Sequence, residues 1–511
     1  MPRMDFKPNH SSLLAPTLIT TKMVAAAQRE IDIAKERGMS AEDIYSHDFL
    51  PTTSLFDGKL PKKVTSKCQL VTELEHLAKL TEDDKVKPEG ELALILDFMS
   101  RIRSSTLLPH TCKTFGHLIH WALSVVNEFN VTIVHTILDS YLEASCKAAE
   151  RLRRGSGIDP IEYDEGDITA DLLLPEKMEK FWPSAHNKVQ LQTLLRDQIA
   201  MYEHLDKNVI VSGYITDADI IPAELYKIGR NNDYPRQEQI SCLQSLIEEA
   251  DDRIIPHCAY EVDSGSKRIL VISNDADTVA RLLCHMNVFK QQGLEKMWCL
   301  YSTGENKRFL PIHKIHAVLG DSWSRIIIKA HVLTGDDSLS KVGTKHAALT
   351  CDPIKYLSGF AESNKLFEAD IRQTEEYLVK VWIGARSNTT CRTFSELRLQ
   401  EYTSTKDAKS LESLPPTSSS VLGHIRRAHY VIRNVLCLVD KHRMGDQVEH
   451  GWLWDYGVLL PDQCLNPLPN VMTLTCKCEG KCITKRCICR KLNQQCTIFC
   501  HQKKQNVCEN K

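Results

Sequence analysis

Apolar residues fall in short runs along the middle of the chain, and each run is followed by a stretch patterned for a helix. "ELALILD" ends at Asp97, "VTIVHTILD" ends at Asp139, "NVIVSG" lies near Val211, and "RILVISND" ends at Asp275. Short continuous apolar runs bounded by polar residues predict strands buried on both faces. Helical periodicity marks "TFGHLIHWALSVVNEF", "EASCKAAERLRR", "NKVQLQTLLRDQIAMYEHL" and "EQISCLQSLIEEADDRIIPHCAYE" between them. Strands alternating with helices predict an α/β fold with a parallel sheet flanked by helices.

The pattern changes along the chain and divides it into five segments. Residues 1–85 form a polar, mostly helical extension, with helices expected at "KMVAAAQREIDIAKERG" and "CQLVTELEHLAKLTEDD". Residues 86–360 form the α/β domain. Residues 361–445 form a helical extension that includes the Pro/Ser-rich linker "LESLPPTSSS" and the helix candidate "VLGHIRRAHYVIRNVLCLVDKH". Residues 446–475 are loop-like, and residues 476–511 form a cysteine-rich tail. A chain of 511 residues exceeds one ordinary core, so several folding units are expected. Its 42 % hydrophobic and 25 % charged content is that of a globular protein. A net charge of −2 gives no overall attraction to nucleic acid, so any basic surface must be local. No run approaches the ~20 apolar residues of a membrane span, and no secretory apolar region opens the chain. The expected compartment is intracellular, specifically nuclear.

Cysteine changes the picture at the C-terminus. Of 19 cysteines, eight lie between Cys476 and Cys508. Their spacing, C-x-C-x₃-C-x₄-C-x-C-x₆-C-x₃-C-x₇-C, suits thiolates shared between neighbouring zinc ions better than one isolated finger. A disulfide framework is the alternative, disfavoured in a reducing compartment. The tail also carries nine Lys or Arg against two Glu from Cys476 to Lys511, which suits phosphate-backbone contact. A purely structural, protein-binding tail is the competing reading.

Three predicted strands finish on an aspartate: Asp97, Asp139 and Asp275. Ligands of open α/β sheets bind beyond the carboxyl ends of the strands, so these acids are placed to share one pocket. "SLIEEADDR" adds Glu248, Glu249, Asp251 and Asp252. Clustered carboxylates repel unless a cation is present, and hard oxygen ligands suit Mg²⁺ or Mn²⁺. A single aspartate after a strand is more often a turn former or helix cap. "YITDADI" repeats the spacing of Asp275 and Asp277 with Asp217 and Asp219 in a loop, so spacing alone is weak; repetition on several strands is the stronger sign. Downstream, "IIIKAHVLTGDDSLSKVGTKHAALTC" places Gly335 before Asp336 and Asp337, and Gly343, Thr344 and Lys345 before a helix. A glycine turn there lets backbone N–H groups approach an anion.

Taken in order, "LILDFMS", "LDSYLEASCKAAERLRRG", "EEADDR", "SNDADTV" and "LTGDDSLSKVGTKHAAL" resemble the motifs of the flap-endonuclease/XPG-type nucleases, within the PIN-like fold. The likeness covers about residues 88–360. It is closer still to transposon-associated animal proteins that join such a domain to a CXC tail. The resemblance implies that Asp97, Asp139, Glu249, Asp251, Asp275, Asp277 and Asp337 are metal-binding acids for two Mg²⁺ or Mn²⁺ ions. Glu249 and Asp251, with one of Asp275 and Asp277, would hold the first ion. Asp275, Asp277 and Asp337 would approach the second, and Asp97 and Asp139 would act directly or through water. Lys147, Arg151 and Arg154 share a helical face; the resemblance gives them a role in steering the scissile phosphate, and a solvated basic face is the plain alternative. Gly343, Thr344 and Lys345 are similar to a turn that grips the nucleic-acid backbone, with a monovalent cation nearby. Asp336, Ser338 and Ser140 depart from the family pattern.

The tail resembles the tesmin/TSO1-like CXC module. That implies up to three zinc ions held by Cys476, Cys478, Cys482, Cys487, Cys489, Cys496, Cys500 and Cys508. One cysteine of that module is missing; Gln502 stands near its place, so either His501 substitutes or one zinc site is incomplete. The expected function is metal-dependent phosphodiester hydrolysis, in DNA rather than RNA. A catalytically silent nucleic-acid- or chromatin-binding protein of transposon origin is the rival.

Overall fold

The computed structural model describes residues 18–103, 108, 110–141, 145–155, 157–201, 207–215, 220–227, 236–303, 306–384, 389–404, 410–440, 444–455, 457–501 and 508–510. Asp217, Asp219 and Gln502, which the sequence analysis singles out, lie outside these residues. A mixed sheet of eight strands occupies the centre: β1 (Leu92–Asp97), β2 (Val131–Ile137), β3 (Asn208–Val211), β4 (Ala223–Lys227), β5 (Arg236–Ile240), β6 (Arg268–Ile272), β7 (Lys296–Thr303) and β8 (Asn306–Pro311). Their spatial order is β8-β7-β6-β1-β2-β3-β4-β5. Strands β7, β6, β1, β2 and β3 are mutually parallel, while β8 and the β4–β5 hairpin extend the two edges by antiparallel pairing.

The helices that matter below are α1 (Thr21–Glu36), α2 (Gln69–Leu77), α3 (Phe115–Ser124), α4 (Ala148–Gly155), α5 (Ala185–Met201), α6 (Ala250–Asp263), α7 (Ala276–Gln291), α8 (Ile312–Leu333), α9 (Lys345–Thr350), α10 (Glu368–Ile383) and α11 (Ser418–Leu436). Every residue of β1 is buried, because both faces of the sheet are covered. Strand periodicity sorts its side chains between two cores. Ala93 and Ile95 join Ile269 and Val271 of β6 in the core that contains residues of α6, α7, α8, α10 and α11. Leu92, Leu94 and Leu96 join Leu270 and Ile272 in the opposite core, with α3 and α5. Because the central strands run in one direction, the residues that follow β1, β2 and β6 emerge at the same edge. No helix among the described residues is long and apolar enough to cross a membrane.

Two local expectations are corrected. The helix expected from "EQISCLQSLIEEADDR" starts only at Ala250. Arg236–Ile240 instead pairs as β5, and Ile240 and Leu243 pack on Ile210 and Ala223. The loop-like stretch before the tail contains a hairpin, Trp452–Asp455 with Val458–Pro461, and Trp452 packs edge-on against Tyr430 of α11. The N-terminal extension also shares the main core: Leu55, Phe56, Leu70, Val71 and Leu74 are buried with Ala93 and Ile95.

Candidate metal centre

Each acid is fixed by a local structural cause. Asp97 is the last residue of β1; its carboxylate accepts from the Ser100 N–H at 2.9 Å and the Ser273 hydroxyl at 3.2 Å. Asp139, just beyond β2, accepts from the Ala250 N–H at 2.8 Å and so ties that loop to the start of α6. Glu249 is the N-cap residue of α6, and Asp251 lies in its first turn. Asp275 is the N-cap of α7 and accepts from the Asp277 N–H at 2.9 Å. Two helix N-termini therefore face the pocket, and their positive dipole ends help the sequence tolerate four adjacent carboxylates. Arg253, fully buried, closes the floor: it donates to the carbonyls of Leu138, Gly213 and Ile247 and to the Ser140 hydroxyl.

The acids converge. One carboxylate oxygen from each of Asp251, Asp275 and Asp277 lies within 4.8 Å of the others. Burial, with Asp139, Asp251 and Asp275 nearby, pushes the Asp97 carboxyl up to about 8. Burial and the Asp277 charge likewise push Asp275 up to about 6. Glu249 and Asp337 join the cluster through Lys147, whose ammonium lies 3.2 Å from Glu249, 3.7 Å from Asp251 and 3.9 Å from Asp337. Arg151 pairs with Glu248 at 2.7 Å and Glu249 at 2.9 Å, while half-exposed Arg154 reaches Asp337 at 3.1 Å. The seven acids and three cations named from sequence thus form one connected cluster at the strand ends.

Four further groups complete it. Arg281 on α7 lies 3.2 Å from Asp251 and 3.9 Å from Asp277 and also pairs with Asp252. Its position one helical turn after Asp277 was the available signal. Burial holds His331 on α8 neutral, down to about 4, and it donates to Asp277 at 2.7 Å. Lys67, from the N-terminal extension, lies 2.6 Å from Asp337 and 3.1 Å from Asp277. Glu248 is buried and pushed up to about 7 by burial and by the adjacent Glu249. Nothing in the local sequence marks Lys67 or His331.

The carboxylate set fits a divalent ion. Asp251 Oδ2 is buried and lacks a hydrogen-bond partner among the described residues, although Arg281 and Lys147 face it. It is an uncapped oxygen of a residue whose carboxylate meets those of Asp275 and Asp277, the donor chemistry Mg²⁺ and Mn²⁺ prefer.

The downstream turn behaves differently from expectation. Gly335 adopts φ +104°, and the Asp336 carboxylate folds back onto the N–H groups of Ser338 and Leu339 at 2.8 and 3.0 Å. Asp336 is therefore a turn former, and Asp337 is the one that meets the cations. Gly343 is required by close packing as well as by its φ of +65°, since a Cβ there would lie 2.5 Å from the Val381 carbonyl oxygen. Thr344 caps α9, and its exposed side chain accepts from the Ala347 N–H. The side chain of Lys345, expected at a nucleic-acid backbone, is buried instead. It donates to the carbonyls of His331 and Gly335, both at 2.7 Å, and to the Thr334 hydroxyl at 3.0 Å. Burial lowers its pKa to about 7. Three acceptors at the end of α8 compensate that burial, so its ammonium braces the Asp337 turn from behind.

In the tail, ligand atoms gather into three overlapping groups of four: Cys476, Cys489, Cys496 and Cys500; Cys476, Cys482, Cys496 and His501; Cys476, Cys478, Cys482 and Cys487. The Sγ atoms of Cys476 and Cys496, Cys487 and Cys496, and Cys489 and Cys500 are each 3.8 Å apart. A tetrahedron with zinc–sulfur bonds of about 2.3 Å has edges of about 3.8 Å, whereas a disulfide spans only about 2.05 Å. The described cysteines are all unbridged. His501 Nε2 lies 3.3 Å from Cys482 Sγ and 3.6 Å from Cys476 Sγ, so a histidine joins the donor set. Cys508 belongs to none of these groups among the described residues. The buried cysteine and histidine cluster is thus compatible with zinc. Helix α1 holds it: Arg29 donates to the Phe499 carbonyl, Arg37 to the Cys489 sulfur, and Glu36 accepts from the Ile498 N–H.

In comparisons with known proteins, the chain matches no protein-family model and no curated protein.

Proposed function

We propose that the chain is a divalent-metal-dependent nuclease of PIN-like, flap-endonuclease type that acts on DNA, with the zinc module adding backbone contacts. The observation that carries this reading is the meeting of Asp251, Asp275 and Asp277, brought from two helix N-termini to the end of a parallel sheet. Asp97, Asp139, Glu249 and Asp337 surround them. Asp251, Asp275 and Asp277 would hold the ion, which when bound supplies Lewis-acid stabilisation to a phosphodiester attacked by water. The surrounding protein supplies the rest. Lys147 and Arg151 both pair with Glu249 and would neutralise charge that develops on the phosphate. Arg154, at the rim, would contact the neighbouring backbone. The tail exposes Lys477, Lys481, Lys485, Arg486 and Lys491 for further phosphates.

A second reading, a silent nucleic-acid-binding protein, is favoured by one observation: Lys67, Lys147 and Arg281 already neutralise the carboxylates. Cleavage separates the two. The zinc-loaded full chain is incubated with flap, hairpin and single-stranded DNA, and with RNA, in Mg²⁺ or Mn²⁺, beside Asp275→Asn/Asp277→Asn. Loss of direct ligands should cost more than the roughly 10–100-fold typical of groups that only support such ligands. Metal-dependent cleavage that the double variant loses is expected. Salt-sensitive binding without cleavage on any substrate would support the second reading and overturn the first.

A further inference from the structure

The least expected group in the acidic pocket comes from outside the α/β domain. Residues 60–68 run across the pocket as a strap anchored along its length. Arg153 of α4 donates to the Pro61 carbonyl, and the Lys341 N–H donates to the Lys62 carbonyl at 2.9 Å. Val64 packs on the turn before Asp336; a Cβ at Gly335 would lie 2.5 Å from its Cγ2. Helix α2 then begins at Gln69 and buries Leu70, Val71 and Leu74. Lys67 is therefore fixed between two anchors, with its side chain only 19 % exposed.

Its ammonium lies between two acids, 2.6 Å from Asp337 and 3.1 Å from Asp277. The grouping of the acids is informative here. Asp251, Asp275 and Asp277 come together as one ligand set, whereas Asp337 stands outside it and meets protein cations. A second divalent ion between Asp277 and Asp337 would need the place that Lys67 fills, and two cations at that separation repel.

We propose that Lys67 takes the place of a second divalent cation, so that the centre binds one metal ion per chain and uses the lysine as its other positive charge. The inference rests on reading the pocket as a metal-dependent nuclease centre. In that setting Lys67 would supply positive charge to a bound phosphate, and the strap would tie the N-terminal extension to the substrate.

The test counts ions and does not depend on turnover. Zinc-loaded full-length protein is titrated with Mn²⁺, with free Mn²⁺ followed by electron paramagnetic resonance, for the natural chain, Lys67→Met and Lys67→Arg. One bound Mn²⁺ is expected for the natural chain and for Lys67→Arg, and two for Lys67→Met, whose second ion binds at least ~10-fold more tightly than any second ion bound by the natural chain. Two ions in the natural chain, or one unchanged ion in a folded Lys67→Met, would overturn the assignment. Because Lys67→Arg keeps the charge and the natural chain is itself counted, the test survives misfolding of Lys67→Met. A chain that binds one Mn²⁺ but cleaves nothing sinks the nuclease reading and supports the ion count. A chain that cleaves with two bound ions sinks only the role of Lys67.

Discussion

Cys476→Ser is expected to strip most zinc from the C-terminal module and loosen it from helix α1, whereas Cys508→Ser should keep zinc near the natural level. Cys476 belongs to all three four-ligand groups, and Cys508 to none. One serine therefore weakens every site at once. Structural zinc contributes on the order of 10–16 kcal/mol to folding of small domains, far more than this tail can draw from its few apolar side chains. The module's contacts with Arg29, Glu36 and Arg37 include backbone groups of Ile498 and Phe499 and the sulfur of Cys489, whose positions depend on the folded cluster. Zinc per chain by elemental analysis and hydrogen exchange across residues 476–501 measure both effects. Equal zinc loss in the two variants would contradict the ligand assignment.

Arg281→Met is expected to destabilise the chain by about 3–5 kcal/mol, the cost of removing one partner from a buried ion cluster. Arg281 is buried and faces Asp251, Asp252 and Asp277. Methionine fills similar space but leaves these carboxylates with less positive charge. A divalent ion would neutralise two of the same groups, so Mn²⁺ should recover much of the loss by binding only the folded chain. Thermal unfolding of the natural chain and the variant, with and without Mn²⁺, gives the answer. A loss that Mn²⁺ does not recover would mean that these acids are structural partners of arginine and not metal ligands.

The acidic pocket was largely readable because its members sit where sequence marks structure. Asp97, Asp139 and Asp275 follow apolar runs, and Asp251 and Asp277 open helices that follow. The parallel sheet turns those sequence positions into one edge in space. Lys67 was unreadable for the converse reason: it reaches Asp337 only because a strap 270 positions away in sequence crosses the pocket. His331 is similarly hidden inside an apolar helix. The stretch before Ala250 misled because Ile240, Leu243 and Ile247 imitate a helical stripe, although Ile240 enters the sheet and Leu246 is exposed. In Gly343-Thr344-Lys345 the turn was legible, but the direction of the lysine was not. Three oxygens at the end of α8 draw Lys345 inward, and they come from residues that local spacing does not connect to it. Cysteine spacing likewise marked the tail as a metal module, while the place of His501 beside Cys476 and Cys482 emerges only from the folded distances.

The proposed divalent-metal centre of these carboxylates is tested by anomalous diffraction from Mn²⁺-soaked crystals of the zinc-loaded chain. A manganese peak is expected within about 2.0–2.3 Å of oxygens from Asp251, Asp275 and Asp277, with Lys67 still beside Asp337. A pocket without manganese, with Lys67, Lys147 and Arg281 alone balancing the acids, would contradict it.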